Sequence, residues 1–127
     1  MTEKIKYAII GAGCMGQEHI LNIALIDDAE VVALCDTSEK SIQESLDLLT
    51  NDVAIFDNYN DLIEANIANA FIIATPNFTH IDVLKDVMKS EVHLLIEKPL
   101  CTTVKDCQEF EKLAENYPGV IWTAMEY

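Results

Sequence analysis

Apolar runs and amphipathic stretches alternate along the whole chain. Residues 5–10 are apolar except for Lys6, and the run ends at Gly11. Ile20, Ile23 and Ala24 then recur at helical spacing. Residues 30–35 (EVVALC) read as a second buried strand. Thr37 and Ser38 can cap the helix that follows, whose apolar face is Ile42, Leu46 and Leu49. Residues 53–56 are a short third strand, and 59–65 a short helix. The second half repeats the rhythm. Residues 70–74 (AFIIA) form a strand, and Asn77 opens a helix with Ile81, Leu84 and Met88 on one face. Residues 92–96 (VHLLI) are the next strand. Thr102 or Thr103 caps a helix with Cys107, Phe110 and Ala114 turned inward. Pro118-Gly119 marks a turn, and 120–124 (VIWTA) are a sixth strand. Tyr117 and Trp122 read as packing residues. Six strands with helices between them predict an α/β protein, a doubly wound parallel sheet of the Rossmann type covered on both faces.

Composition narrows the function classes. A chain of 127 residues suits one domain, 1–127, with a sizeable core. The net charge is −14 and there is no arginine, which argues against nucleic acid and against anionic membrane surfaces as partners. No apolar run approaches the ~18 residues of a membrane span. Met1-Thr2-Glu3-Lys4 leads straight into a strand rather than a signal core, so cytoplasmic residence is expected. Cys14, Cys35, Cys101 and Cys107 make no C-x-x-C pair and no zinc-spaced cluster. Reduced thiols and no metal site are the expectation.

Four segments carry candidate chemistry. Gly11-Ala12-Gly13-Cys14-Met15-Gly16 fits G-x-G-x-x-G directly after the first strand. Gly11 permits the tight turn, Gly13 lets the backbone approach a pyrophosphate, and Gly16 lets the helix pack close to the strand. Free N–H groups around Cys14, Met15 and Gly16 can bind the phosphates. Alone, the motif also describes a tight turn with no ligand. Asp36 ends the second strand twenty residues after Gly16, where an acid accepts from an adenine-ribose diol; a capping or surface aspartate is the alternative. A 2′-phosphate would be repelled by Asp36 and would find no arginine, so NAD is favoured over NADP. Lys40 is the one nearby cation that softens this.

The third segment, Ala74-Thr75-Pro76-Asn77-Phe78-Thr79-His80, follows the fourth strand. Ligands bind beyond the carboxyl ends of such strands, so Thr75 and Asn77 are candidate cofactor contacts. The alternative makes Asn77 a cap and His80 a surface residue. The fourth, Glu97-Lys98-Pro99, ends the fifth strand near the expected nicotinamide position. Lys98 there can hydrogen-bond a substrate hydroxyl and ease proton loss; a solvated Glu97–Lys98 pair is the alternative. Lys98-Pro99 is a candidate cis bond. His19 reads as a structural residue packed against the glycine turn.

Together these segments resemble the Gfo/Idh/MocA family, which includes glucose–fructose oxidoreductase and inositol dehydrogenase. GAGCMGQEH resembles its G-x-G-x-x-G-x-x-H start and VVALCD its second strand with an acidic end. ATPNFTH is similar to its A-T-P-N-x-x-H segment and LLIEKPL to its E-K-P signature. The resemblance covers the whole chain. It implies NAD(P)-dependent oxidation of a sugar, polyol or related alcohol, with Lys98 touching substrate and nicotinamide and Glu97 orienting the cofactor. It makes Gly11 to Gly16, Asp36, Thr75, Pro76, Asn77, His80, Glu97 and Lys98 the cofactor-binding set, with Lys98 also catalytic. It also implies a C-terminal α/β domain that builds the substrate pocket, with the chain crossing into it near Met125-Glu126-Tyr127. In place of the family's frequent glycine-lysine turn before the fifth strand stand Ser90-Glu91, and Ser90 is expected to take the glycine's conformation.

The leading reading is the cofactor half of an NAD-dependent dehydrogenase whose substrate domain lies elsewhere or has been cut off. A non-enzymatic NAD(H)-binding module acting through a partner is the alternative. A methyltransferase shares the glycine turn and the acid but not ATPNFTH or EKP. Apolar residues of the sixth strand, Val120, Ile121 and Trp122, are expected to make the isolated domain self-associate.

Overall fold

The computed structural model describes residues 3–125; Met1, Thr2, Glu126 and Tyr127 lie outside the described residues. Strands β1 (Ile5–Ile10), β2 (Ala29–Cys35), β3 (Ala54–Phe56), β4 (Ala70–Ile73), β5 (His93–Glu97) and β6 (Ile121–Ala124) form one sheet in the order β3-β2-β1-β4-β5-β6. Every neighbouring pair is parallel. The strand order reverses between β1 and β4, so a crevice opens beyond their carboxyl ends.

Strand side chains alternate between two cores, as the pleat requires. Ala8, Ile10, Phe71, Ile73, Leu94 and Ile96 face one, and Ile9, Ile72 and Val31 the other. The first core is closed by α3 (Tyr59–Ala65), α4 (His80–Val87) and α5 (Val104–Ala114), through Leu62, Leu84, Val87 and Phe110. The second is closed by α1 (Cys14–Ile23) and α2 (Glu39–Leu46), through Ile20, Ile23, Ile42 and Leu46. Ser38 caps α2, Asn58 caps α3 and Thr103 caps α5, each accepting from a backbone N–H in the first turn. No helix among the described residues is long and apolar enough to cross a membrane.

Four expectations change. Asn77 opens a 3-10 turn, Asn77–Thr79, and the α-helix itself starts at His80. The left-handed position before β5 falls on Glu91 (φ 59), not Ser90. A second 3-10 turn, Met88–Ser90, extends the helical path by one residue past the expected break, and the Ser90 hydroxyl donates to the Val87 carbonyl. Cys107 is exposed, so α5 turns Phe110 rather than Cys107 into the core. Trp122 is 64% exposed. It borders an open hollow of about 320 Å³ with Tyr7 and Leu95, because α1 and α2 cover only the β1–β3 side of that face.

Candidate functional site

The chain leaves β1 through Gly11, whose φ of +100° lies in the region that favours glycine. A Cβ there would meet the carbonyl carbon of Ala74 at 2.5 Å. A Cβ on Gly16 would collide with the Gly11 carbonyl oxygen, so α1 can lie against the turn only with glycine at this position. At Gly13 a Cβ would meet nothing within 4 Å. That open space borders the start of α1, where Gly13 is the N-cap, no side chain caps the helix and the first turn carries no acid. The first N–H groups of the helix and its positive end therefore face the open space, an arrangement suited to an anion.

The turn is clamped from three elements. The Ala12 N–H donates to Asp36 Oδ2 at 2.8 Å, and the Ser38 N–H donates to Asp36 Oδ1 at 2.8 Å. The Ala12 carbonyl accepts from Gln17 Nε2 at 3.0 Å and from Ser45 Oγ at 3.1 Å. The Gly11 N–H donates to the Cys35 carbonyl at 2.8 Å. Sequence reasoning missed Ser45, which is fully buried. The available signal was a polar residue inside the apolar stripe Ile42, Leu46, Leu49.

Between β1, β2 and β4 lies a cavity of about 540 Å³. Gly11, Gly13, Cys14 and Met15 line one side, Asp36, Thr37, Asp57 and Tyr59 another, and Ala74, Thr75 and Pro76 a third. The donor set fits a dinucleotide: exposed helix N–H groups for a pyrophosphate, and a carboxylate for a ribose diol. Asp36 keeps acceptor capacity, since a carboxylate offers about four lone-pair sites and two are used. Burial, then Asp36, Asp57 and Asp61, push the Cys35 thiol up to about 11, so it is a neutral wall of the cavity. Burial and the bond to Asp86 also raise the Tyr59 phenol. Asp57 and Tyr59 were missed in the sequence, although Asp57 ends its strand just as Asp36 does. Lys40 is 86% exposed and pairs with Glu44 at 3.8 Å.

The other two motifs meet at the ends of β4 and β5. The Thr79 hydroxyl lies 2.6 Å from the Pro76 carbonyl and 2.7 Å from Thr75 Oγ1. It has one proton, which goes to the carbonyl, so the Thr75 hydroxyl donates to Thr79. Asn77 is exposed and lies outside the set lining the cavity. His80, expected among the cofactor contacts, is not among the residues lining the cavity. It is fully buried, with Nδ1 2.9 Å from the Pro99 carbonyl and Nε2 3.0 Å from the Thr75 carbonyl. The ring thus lies between the loop after β4 and the loop after β5, within hydrogen-bond distance of a carbonyl of each.

Glu97 does not pair with Lys98. Its Oε1 lies 2.6 Å from His19 Nε2, and both side chains are largely buried. Among the described residues Lys98 is exposed and has no ion-pair partner, and the Lys98-Pro99 peptide is cis. A second hollow of about 390 Å³ is bordered by His19, Glu97, Trp122 and Met125. Cys14 and Met15 line both this hollow and the 540 Å³ cavity, so the start of α1 is their common wall.

A model of the Gfo/Idh/MocA oxidoreductases, described as an oxidoreductase family with an NAD-binding Rossmann fold, matches residues 5–125. The chain belongs to this family. It is 31% identical over 114 residues to the rhizopine catabolism protein MocA of Rhizobium meliloti, covering 90% of this chain and 35% of that protein. It is 38% identical over 101 residues to an inositol 2-dehydrogenase of Arthrobacter sp., covering 79% of this chain and 30% of that enzyme. Among solved structures, the WlbA dehydrogenase of Bordetella pertussis, in complex with NADH and UDP-GlcNAcA, superposes with a TM-score of 0.86 at 26% identity. That match covers 96% of this chain and 37% of the other. The chain thus spans about a third of the length of the relatives it matches, and it is the family's NAD-binding Rossmann domain.

Proposed function

We propose that this domain holds NAD for an oxidoreductase that moves hydride between the cofactor and a hydroxyl-bearing carbon of a sugar, polyol or related alcohol. The observation that carries the reading is the convergence of the uncapped α1 start, Asp36 and the β5 end bearing Lys98 on one edge of the sheet. The N–H groups after Gly13 bind the pyrophosphate. Asp36 accepts from the adenine-ribose diol, and together with Asp57 it repels a 2′-phosphate, which makes NAD the preferred cofactor over NADP. Thr75 and Pro76 form the wall across the cavity, with Asn77 at its outer edge.

When bound, the nicotinamide supplies the hydride acceptor or donor. Lys98 carries an ammonium at the adjacent strand end, where it stabilises the negative charge developing on the substrate oxygen. Glu97, fixed by His19, orients the cofactor's reactive end. The inositol 2-dehydrogenases among the relatives support a polyol-like substrate. Val120 and Trp122, 61% and 64% exposed, support a covering surface at β6 supplied by a substrate-binding domain or a second copy of the chain. Four free thiols support a reducing compartment, the cytoplasm.

A complete enzyme, made by joining this domain to a related C-terminal domain, tests the reading. Lys98→Ala is expected to lower kcat by about 10²-fold or more with NAD affinity little changed. A kcat within a few-fold of the parent would remove Lys98 from the chemistry.

A further inference from the structure

At the amino ends of the strands, on the sheet edge opposite the cofactor cavity, α1 and α2 both end around an open hollow of about 310 Å³. Ile20, Ile23, Val31 and Leu49 give it an apolar floor. Ile26 and Leu48 on its rim are exposed, and Leu25, next to Ile26 in the chain, is 83% exposed. Large aliphatic side chains grouped around a hollow differ from the single apolar residues scattered over an ordinary surface, and they mark a place of contact. The same rim is acidic. Asp27 and Glu30 line it, and Asp28, Asp47 and Asp52 each adjoin a lining residue in the chain. Among the described residues none of these five carboxylates has an ion-pair partner, and Lys4 is the one cation lining the hollow. Neither α1 nor α2 has a basic residue in its last turn, so the negative ends of both helices add to the same field.

We propose that this hollow is a docking site for a basic amphipathic segment of a partner protein. Aliphatic side chains of the segment enter the hollow between Ile26 and Leu48, and its lysines or arginines lie over Asp27, Glu30 and the carbonyl ends of α1 and α2. Charge complementarity selects this occupant. Apolar contact alone would also suit a second copy of the chain, but that copy brings a further net charge of −14 to an acidic rim and is repelled. The site shares no lining residue with the cofactor cavity, so a partner held here leaves the nucleotide's path open.

The test titrates the 127-residue chain into a fluorescent amphipathic peptide of about 14 leucines and lysines, and into the same peptide with glutamate in place of lysine, and reads anisotropy. The leucine–lysine peptide is expected to bind and the leucine–glutamate peptide not to. Leu25→Ser with Ile26→Ser changes exposed side chains only, so circular dichroism should show the native fold, while the peptide binds about tenfold more weakly or worse. Asp27→Asn with Glu30→Gln is expected to weaken binding and flatten its dependence on salt. Trp122→Ser, which removes an exposed apolar side chain far from the hollow, is expected to leave the affinity unchanged. The proposal would be overturned by equal binding of the two peptides, by no binding of either, or by an affinity untouched in the folded Leu25→Ser, Ile26→Ser variant. A wild-type dimer in light scattering that this variant turns into a monomer would also overturn it, and would assign the hollow to a second copy of the chain.

Discussion

His19 Nε2 lies 2.6 Å from Glu97 Oε1, so the first helix and the fifth strand are joined at the residue before Lys98. The two residues are 78 positions apart, and the Glu97 side chain is only 8% exposed. Removing the imidazole leaves a buried carboxylate oxygen without its partner. His19→Ala is therefore expected to destabilise the domain by about 1–3 kcal/mol, with Glu97→Ala less costly because the charge leaves with the side chain. Urea unfolding of both variants measures this. An unchanged midpoint for His19→Ala would mean that water already satisfies Glu97.

The glycines of the first turn separate folding from binding. Gly13→Ala adds a methyl into open space, so the variant is expected to keep wild-type stability to within about 0.5 kcal/mol. It is expected to bind NAD at least about tenfold more weakly, because the methyl occupies the pyrophosphate's approach. Gly16→Ala drives a methyl into the Gly11 carbonyl and is expected to unfold or severely destabilise the chain. Circular dichroism and cofactor titration on the pair check both halves. Wild-type NAD affinity in a folded Gly13→Ala variant would move the phosphate site away from this turn.

These contrasts mark what the sequence made legible. The strands could be read because the central ones are buried on both faces and appear as unbroken apolar runs, such as Ala70–Ile73. The place of Asp36 on the cavity wall could be read because it directly follows a strand end. The partnership of His19 with Glu97 could not be read, since His19 and Lys98 were both available to one carboxylate and only the helix direction decides between them. The burial of His80 could not be read: a histidine at the surface and one enclosed between two loops look identical in the sequence. Glu91 took the left-handed position expected at Ser90 because the length of a 3-10 extension is not encoded in any one residue.

Alkaline pH should weaken the fold. Burial raises the thiols of Cys35 and Cys101 to about 11 and the phenol of Tyr117 to about 12. Each folded-state value lies above the unfolded one, so the native state holds these protons more tightly. Their stabilisation is complete below the ordinary values of 9.0 for cysteine and 10.0 for tyrosine, and is lost as pH rises through the folded values. Unfolding free energy is expected to fall from about pH 9 to 12. The Tyr117→Phe variant should be less stable than wild type at pH 8, because the Tyr117 hydroxyl donates to the Val92 carbonyl. That gap should narrow above pH 10. A gap constant to pH 12 would contradict the assignment.

The most direct test of the domain's role is calorimetric titration of the 127-residue chain with NAD and with NADP, in wild type and Asp36→Asn. Asparagine keeps an oxygen acceptor but loses the charge that the ribose diol and the 2′-phosphate sense. Wild type is expected to bind NAD more tightly than NADP by about tenfold or more. In the variant the two affinities should converge as NAD weakens and NADP gains. NADP binding as tightly as NAD in the wild type, or a preference untouched in Asp36→Asn, would contradict the assignment of Asp36 as the residue that selects the cofactor.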